Sequence, residues 1–110
     1  MELTIKEVFE MIPETFLPEK AGDMDKAIQF VLSGKEAGEW VVIIKDGKAV
    51  VETGLNDSPD LTFKADSQDY LDLLTGKLKP MAAVMTGKVK IIGDQALAQK
   101  FATLFKTPGT

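Results

Sequence analysis

With 110 residues, 45% of them hydrophobic, the chain is expected to form a single domain over residues 1–110 with one core. It holds no Cys and no His, which excludes disulfides, thiolate nucleophiles, imidazole and thiolate metal sites, and any His-assisted triad. All thirteen basic residues are lysines and the net charge is −4, so bidentate guanidinium recognition is absent and no nucleic-acid partner is expected.

Thr4 followed by Glu7 has the spacing of a capping box, and Ile5, Val8, Phe9 and Ile12 recur at helical spacing behind it. Pro13 is expected to end or kink this first helix, and a short segment with Phe16 and Leu17 to close at Pro18. Residues 27–32 and 40–44 read as strands, and Asp46-Gly47 is a two-residue hairpin turn returning the chain through 49–53. After the Asn56–Pro59 loop, Leu61, Phe63 and Ala65 alternate on one face of a fourth strand. Asp66 is placed to cap a helix with Tyr70, Leu71, Leu73 and Leu74 on its apolar side. A stubby apolar helix at Met81–Met85, a strand at 89–92 and a last helix through Phe105 complete the order.

The stubby helix lies inside a local echo. Thr75-Gly-Lys-Leu-Lys79 precedes it and Thr86-Gly-Lys-Val-Lys90 follows it. Each Gly-Lys reads as a helix stop, and Pro80 suits a first helical turn. Charge divides near the same point. Residues 1–76 hold seven lysines against sixteen acids, whereas residues 77–110 hold six lysines and the single acid Asp94. Lys77, Lys79, Lys88 and Lys90 thus form a local basic patch. It is either an ordinary solvated face or a contact for anionic lipid headgroups or the phosphates of a CoA-type ligand.

The strand 40–44 is apolar on both faces, Trp40, Val42 and Ile44 on one and Val41 and Ile43 on the other. An antiparallel sheet with one wet face alternates instead. Either this is a central strand with both faces covered, or one face borders a cavity. No apolar run approaches a bilayer span, and the N-terminus lacks the basic-then-apolar pattern of a secretory signal. The C-terminal Lys106–Thr110 carries no sorting tripeptide, so a cytoplasmic location is expected. The element order is α+β, one sheet with helices stacked on it.

Several segments in order are similar to the sterol carrier protein two family of small lipid-carrier domains. They are Phe30-Val-Leu-Ser-Gly34, Gly38-Glu-Trp40, Ile44-Lys-Asp-Gly47, Pro59-Asp-Leu-Thr62, the helix Asp69–Lys77, the run Lys79–Asp94 and the helix through Phe105. The resemblance covers roughly residues 5–105. It implies a five-stranded, mostly antiparallel sheet with about five helices. It also implies an apolar tunnel for a fatty acid, fatty acyl-CoA, sterol or isoprenoid lipid, with no catalysis by the domain and no cofactor. Without the targeting tripeptide of peroxisomal members, the chain looks like a stand-alone prokaryotic version.

By position, the tunnel lining is expected from Phe30, Trp40, Val42 and Ile44 on strands. From helices come Leu74, Met81, Val84, Met85, Leu97, Phe101 and Phe105. For each of these the competing reading is ordinary core. Gln95, Gln99 or Thr86 would orient a head group. Two other functions compete. Ser33, Ser58 and Ser67 lack a nucleophile-elbow context and a His partner, which leaves only carboxylate chemistry or a cation at Asp66, Asp69 and Asp72. Alternatively, the apolar face of the stubby helix docks a partner protein.

Overall fold

The computed structural model describes residues 3–105; the N-terminal pair and the C-terminal Lys106–Thr110 lie outside the described residues. The elements are α1 (Ile5–Thr15), α2 (Pro18–Ala21), β1 (Lys26–Ser33), β2 (Gly38–Lys45), β3 (Lys48–Thr53), β4 (Leu61–Asp66), α3 (Ser67–Thr75), α4 (Pro80–Met85), β5 (Val89–Gly93) and α5 (Gln95–Phe101). A 3₁₀ turn over Ala102–Leu104 follows. The five strands form one sheet in the order β3-β2-β1-β4-β5, with β1 and β4 parallel and the other three pairings antiparallel. This is the α+β arrangement expected from the element order.

The register puts the strand aromatics and most of the large apolar strand residues on one face, leaving Val31, Val41, Ile43, Val50 and Ile92 on the other. Phe30 stands between Trp40 and Phe63, Ile28 between Val42 and Leu61, and Phe63 opposite Ile91. The helices cover this face. Phe9 of α1 stacks on Trp40 with ring centroids 4.7 Å apart. On the other half of the sheet, α3 touches β4, α4 touches β5, and α5 touches both.

The apolar second face of β2 has a simple explanation. Because β4 lies beyond β1, the connection after β3 must run back across the outer side of the sheet. Gln29, paired with Val41 in register, is buried there and ties that connection down. Its Nε2 donates to the carbonyls of Trp40 (3.0 Å) and Gly54 (2.9 Å), and its Oε1 accepts from the Asn56 N–H (2.7 Å). At the far end, Asp60 exchanges backbone and side-chain hydrogen bonds with Ala27, both 2.9 Å. Val41 is therefore buried beside an anchored loop, away from the apolar cavity that Phe30 and Phe63 line on the other face.

Local signals work as their chemistry demands. Thr4 and Glu7 form a reciprocal capping box, and Asp66 caps α3 by accepting from the Gln68 N–H at 2.8 Å. Asp46 and Gly47 both take positive φ (54° and 73°), the backbone of a tight hairpin matching strand twist. Gly76 and Gly87 stop α3 and α4 at φ 84° and 77°.

Three expectations are corrected. Pro13 does not end α1, which runs on to Thr15. So near the C-terminus the missing N–H removes one bond. The Thr15 hydroxyl to the Met11 carbonyl (3.0 Å) and the Phe16 N–H to the Ile12 carbonyl (3.1 Å) keep the last turn. Pro18 opens α2 rather than closing a segment, as suits a residue with no first-turn N–H to satisfy. The last helix stops at Phe101, and Phe105 is extended, bridging Phe16. The Leu17 N–H donates to the Leu104 carbonyl at 2.7 Å, a tertiary pairing that overrides helical periodicity there.

Candidate functional site: an apolar cavity between sheet and helices

A cavity of about 320 Å³ lies under α1, α3, α4 and α5, over the β1–β4–β5 half of the sheet. Its position follows from the cover. Over β2 and β3 α1 packs directly, its Phe9 ring stacked on Trp40, whereas β4 and β5 are met by the three short helices α3, α4 and α5. Its volume falls at the lower end of ligand pockets, about 300–1,000 Å³.

Each wall is a sequence pattern made spatial. From α1 come Val8, Met11, Ile12 and Thr15, spaced i, i+3, i+4, i+7 along one helix face. Phe30, Phe63, Val89 and Ile91 project from the sheet floor, where Phe30 and Phe63 stack at 5.2 Å. Tyr70, Leu73 and Leu74 come from α3, and Pro80, Ala83 and Val84 from α4. One end is aromatic: Phe101 stands 4.9 Å from Phe105, whose ring meets Phe16 at 5.6 Å. Among the described lining residues none is charged. Thr15 spends its hydroxyl on the Met11 carbonyl. Tyr70 is the one ionisable group on the wall, and burial pushes its phenol well above the usual range, keeping it neutral.

Of the positions expected to line a tunnel, Phe30, Leu74, Val84, Phe101 and Phe105 stand on the cavity wall. Trp40, Val42, Ile44 and Leu97 do not: they belong to the packed core, the first under Phe9 and the next two buried under the α1 half of the sheet. Leu97 falls on the neighbouring face of α5, because Ala98 and Phe101 take the cavity side. Met81 and Met85 are turned outward, 76% and 80% exposed, because Pro80, Ala83 and Val84 occupy the inward stripe of α4. The missed wall residues of α1 and β4 carried a visible apolar period; what was invisible is that a gap, not a neighbour, faces them. Met11 and Thr15 were overlooked because a thioether and a threonine blur that stripe.

The alternatives find little support in the geometry. The Thr86 hydroxyl is bound to the Ala82 carbonyl at 2.7 Å, and Gln95 donates to the carbonyls of Ile91 and Gly93. Neither these nor Gln99 lines the cavity. Among the described residues no cluster of acids has the grouping to hold a metal ion. No helix among them is long and apolar enough to cross a membrane.

The chain matches the SCP-2 sterol transfer family over residues 10–106. It belongs to that family. Its members are lipid-binding and lipid-transfer domains, and the fold agrees with their solved structures. Among curated proteins, a hydroxysteroid dehydrogenase-like protein 2 of Xenopus tropicalis is 42% identical over 98 residues, 87% of this chain but 23% of the relative. The chain thus spans about a quarter of that relative's length. The solution structure of palmitated SCP2L2 from Aedes aegypti is 25% identical with a TM-score of 0.71, covering 92% of this chain and 93% of that one. A sec-alkylsulfatase of Pseudomonas sp. contains the same fold at 22% identity and a TM-score of 0.83, over 94% of this chain and 16% of the enzyme.

Proposed function

We propose that this family member carries a single long-chain fatty acid or fatty acyl group in the cavity, in the cytoplasm, holding the chain without transforming it. The observation that carries the reading is a hollow in a small domain, walled by aliphatic and aromatic side chains with no charge among the described lining residues. Such a wall fits hydrocarbon and offers no group for acid–base or nucleophilic chemistry. The palmitated state of the Aedes aegypti protein supports an acyl chain as cargo. Phe30, Leu74, Val84, Phe101 and Phe105 contact the chain in this reading, joined by Phe63 and the α1 stripe. A bulky sterol, an isoprenoid lipid and acyl-CoA are the other cargoes to compare.

The energetics suit release as well as capture. Burying about fourteen methylenes gains roughly 11 kcal/mol at about 0.8 each. Association costs about 4–15 kcal/mol, so the net affinity is moderate and set by chain length. A ligand held only by the folded state also stabilises that state, the more so the further its concentration exceeds Kd.

Thermal unfolding tests the proposal. At a hundredfold excess over Kd, a ligand that binds only the folded state adds about 2.7 kcal/mol. With an unfolding entropy of about 2.1 cal/mol/K per residue, this raises Tm by about 12 °C. Palmitate is expected to produce such a shift and octanoate much less. No shift with any acyl chain, acyl-CoA or sterol would overturn the proposal. A partner-docking role for α4 instead of carriage would leave Tm indifferent to lipid.

A further inference from the structure

Met81 and Met85 of α4 take no part in the cavity wall, yet with Val84 they make up three of the six exposed large apolar residues among the described residues. Met81 and Met85 are almost fully exposed, and Val84, 47% exposed, both lines the cavity and reaches solvent. Pro80 does the same, so the cavity rim opens at this helix. The remaining exposed large apolar residues, Val50, Leu55 and Ile92, lie on β3, in the connection after it and on β5. Lys77 and Lys79 precede α4, and Lys88 and Lys90 follow it, all exposed. Among the described residues the one ion pair is Lys26–Asp60, so none of these four lysines is paired. Asp66 and Asp69 share a shallow groove with Lys88 and Lys90, whereas residues 77–93 themselves contain no acid.

We propose that α4 is a membrane-docking element: Met81, Val84 and Met85 enter the headgroup–acyl boundary of an anionic bilayer while Lys77, Lys79 and Lys88 meet its phosphates. Charge complementarity selects this occupant. The helix and its flanks carry four lysines on a chain whose net charge is −4, so an anionic surface attracts this end and repels the rest of the molecule. Protein interfaces are depleted in lysine, which makes a protein partner a poorer fit for this collar. Flexible thioether side chains suit insertion among disordered lipid. The cavity rim at Pro80 and Val84 then faces the bilayer, giving a chain a dry route between membrane and cavity; this last step rests on the carrier reading, whereas docking itself does not.

The chain has no cysteine, so a single one can be labelled. Met85→Cys and Leu55→Cys, each carrying an environment-sensitive fluorophore, are mixed with phosphatidylcholine vesicles with or without 30% phosphatidylserine. Leu55, 72% exposed in the connection behind the sheet, is the control. The α4 label is expected to shift to the blue with anionic vesicles and revert in 0.5 M salt, with the control silent. Each neutralised lysine should lower partitioning about fivefold, so Lys77→Gln, Lys79→Gln and Lys88→Gln together lower it about a hundredfold. An equal response at position 55, no response at 85, or a dimer in vesicle-free solution that Met85→Gln disperses would overturn the proposal. Fatty-acid affinity measured without vesicles separates the two readings: its absence with docking intact sinks carriage alone, and its presence without docking sinks the α4 proposal alone.

Discussion

Ala98→Phe distinguishes a hollow interior from a solid one by the sign of its effect. Ala98 lies on the cavity side of α5, beside the Phe101–Phe105 end. If the space is open, the new ring drops into it and gains about 1.5–3 kcal/mol from burial. Replacing Ala inside a helix costs about 0.5 kcal/mol, leaving a net gain of about 1–2.5 kcal/mol. With a urea slope of about 1–3 kcal/mol/M, the midpoint should rise by roughly 0.3–2.5 M at unchanged slope. In a filled interior the same substitution overpacks and costs about 1–3 kcal/mol. The ring also occupies the space proposed for the acyl chain, so affinity for a fluorescent fatty acid should fall at least tenfold. A variant that is destabilised and still binds the probe normally would refute both the cavity and its proposed use.

Gln29→Leu removes two donated bonds and one accepted bond that anchor the crossing connection, and should cost about 2–4 kcal/mol in urea titrations while sparing fatty-acid affinity of the folded fraction. Gly93→Ala should also destabilise, by about 1–3 kcal/mol, because φ is +110° and an added Cβ would lie 2.6 Å from the Asp60 carbonyl oxygen. Tyr70, the single tyrosine, has a folded pKa raised above its unfolded value near 10 by burial. The unfolded chain therefore loses this proton first. The stability linked to it is intact below about pH 10 and falls by about 1.4 kcal/mol per pH unit above it. Urea midpoints from pH 9 to 11.5 should show that contribution, and Tyr70→Phe should lack it.

Most of the sheet was legible because Leu61, Phe63 and Ala65 alternate, Asp46-Gly47 can hardly be anything but a hairpin, and the strands between such signals have few alternatives. Capping at Thr4 and Asp66 fixed two helix starts locally. What failed was decided at a distance. Phe105 reads as helical until Phe16 is known to pair with it, and Val41 reads as facing either a helix or a cavity until Gln29 is known to hold a loop over the sheet. The site was half legible for the same reason. Phe101, Phe105 and Val84 carry the right residue type on the right stripe. Trp40, Val42 and Ile44 carry it equally well, and only the placement of α1 over their half of the sheet makes them core. Met81 and Met85 show the sharper lesson: apolar character at helical spacing marked the helix correctly, while the inward phase belonged to Pro80, Ala83 and Val84.

Native mass spectrometry on purified protein equilibrated with palmitate tests the central claim most directly. A hollow that takes up one acyl chain predicts a one-to-one complex, abundant for the unaltered chain and lost in Ala98→Phe. Only the bare chain mass, before and after lipid is offered in excess, would contradict it.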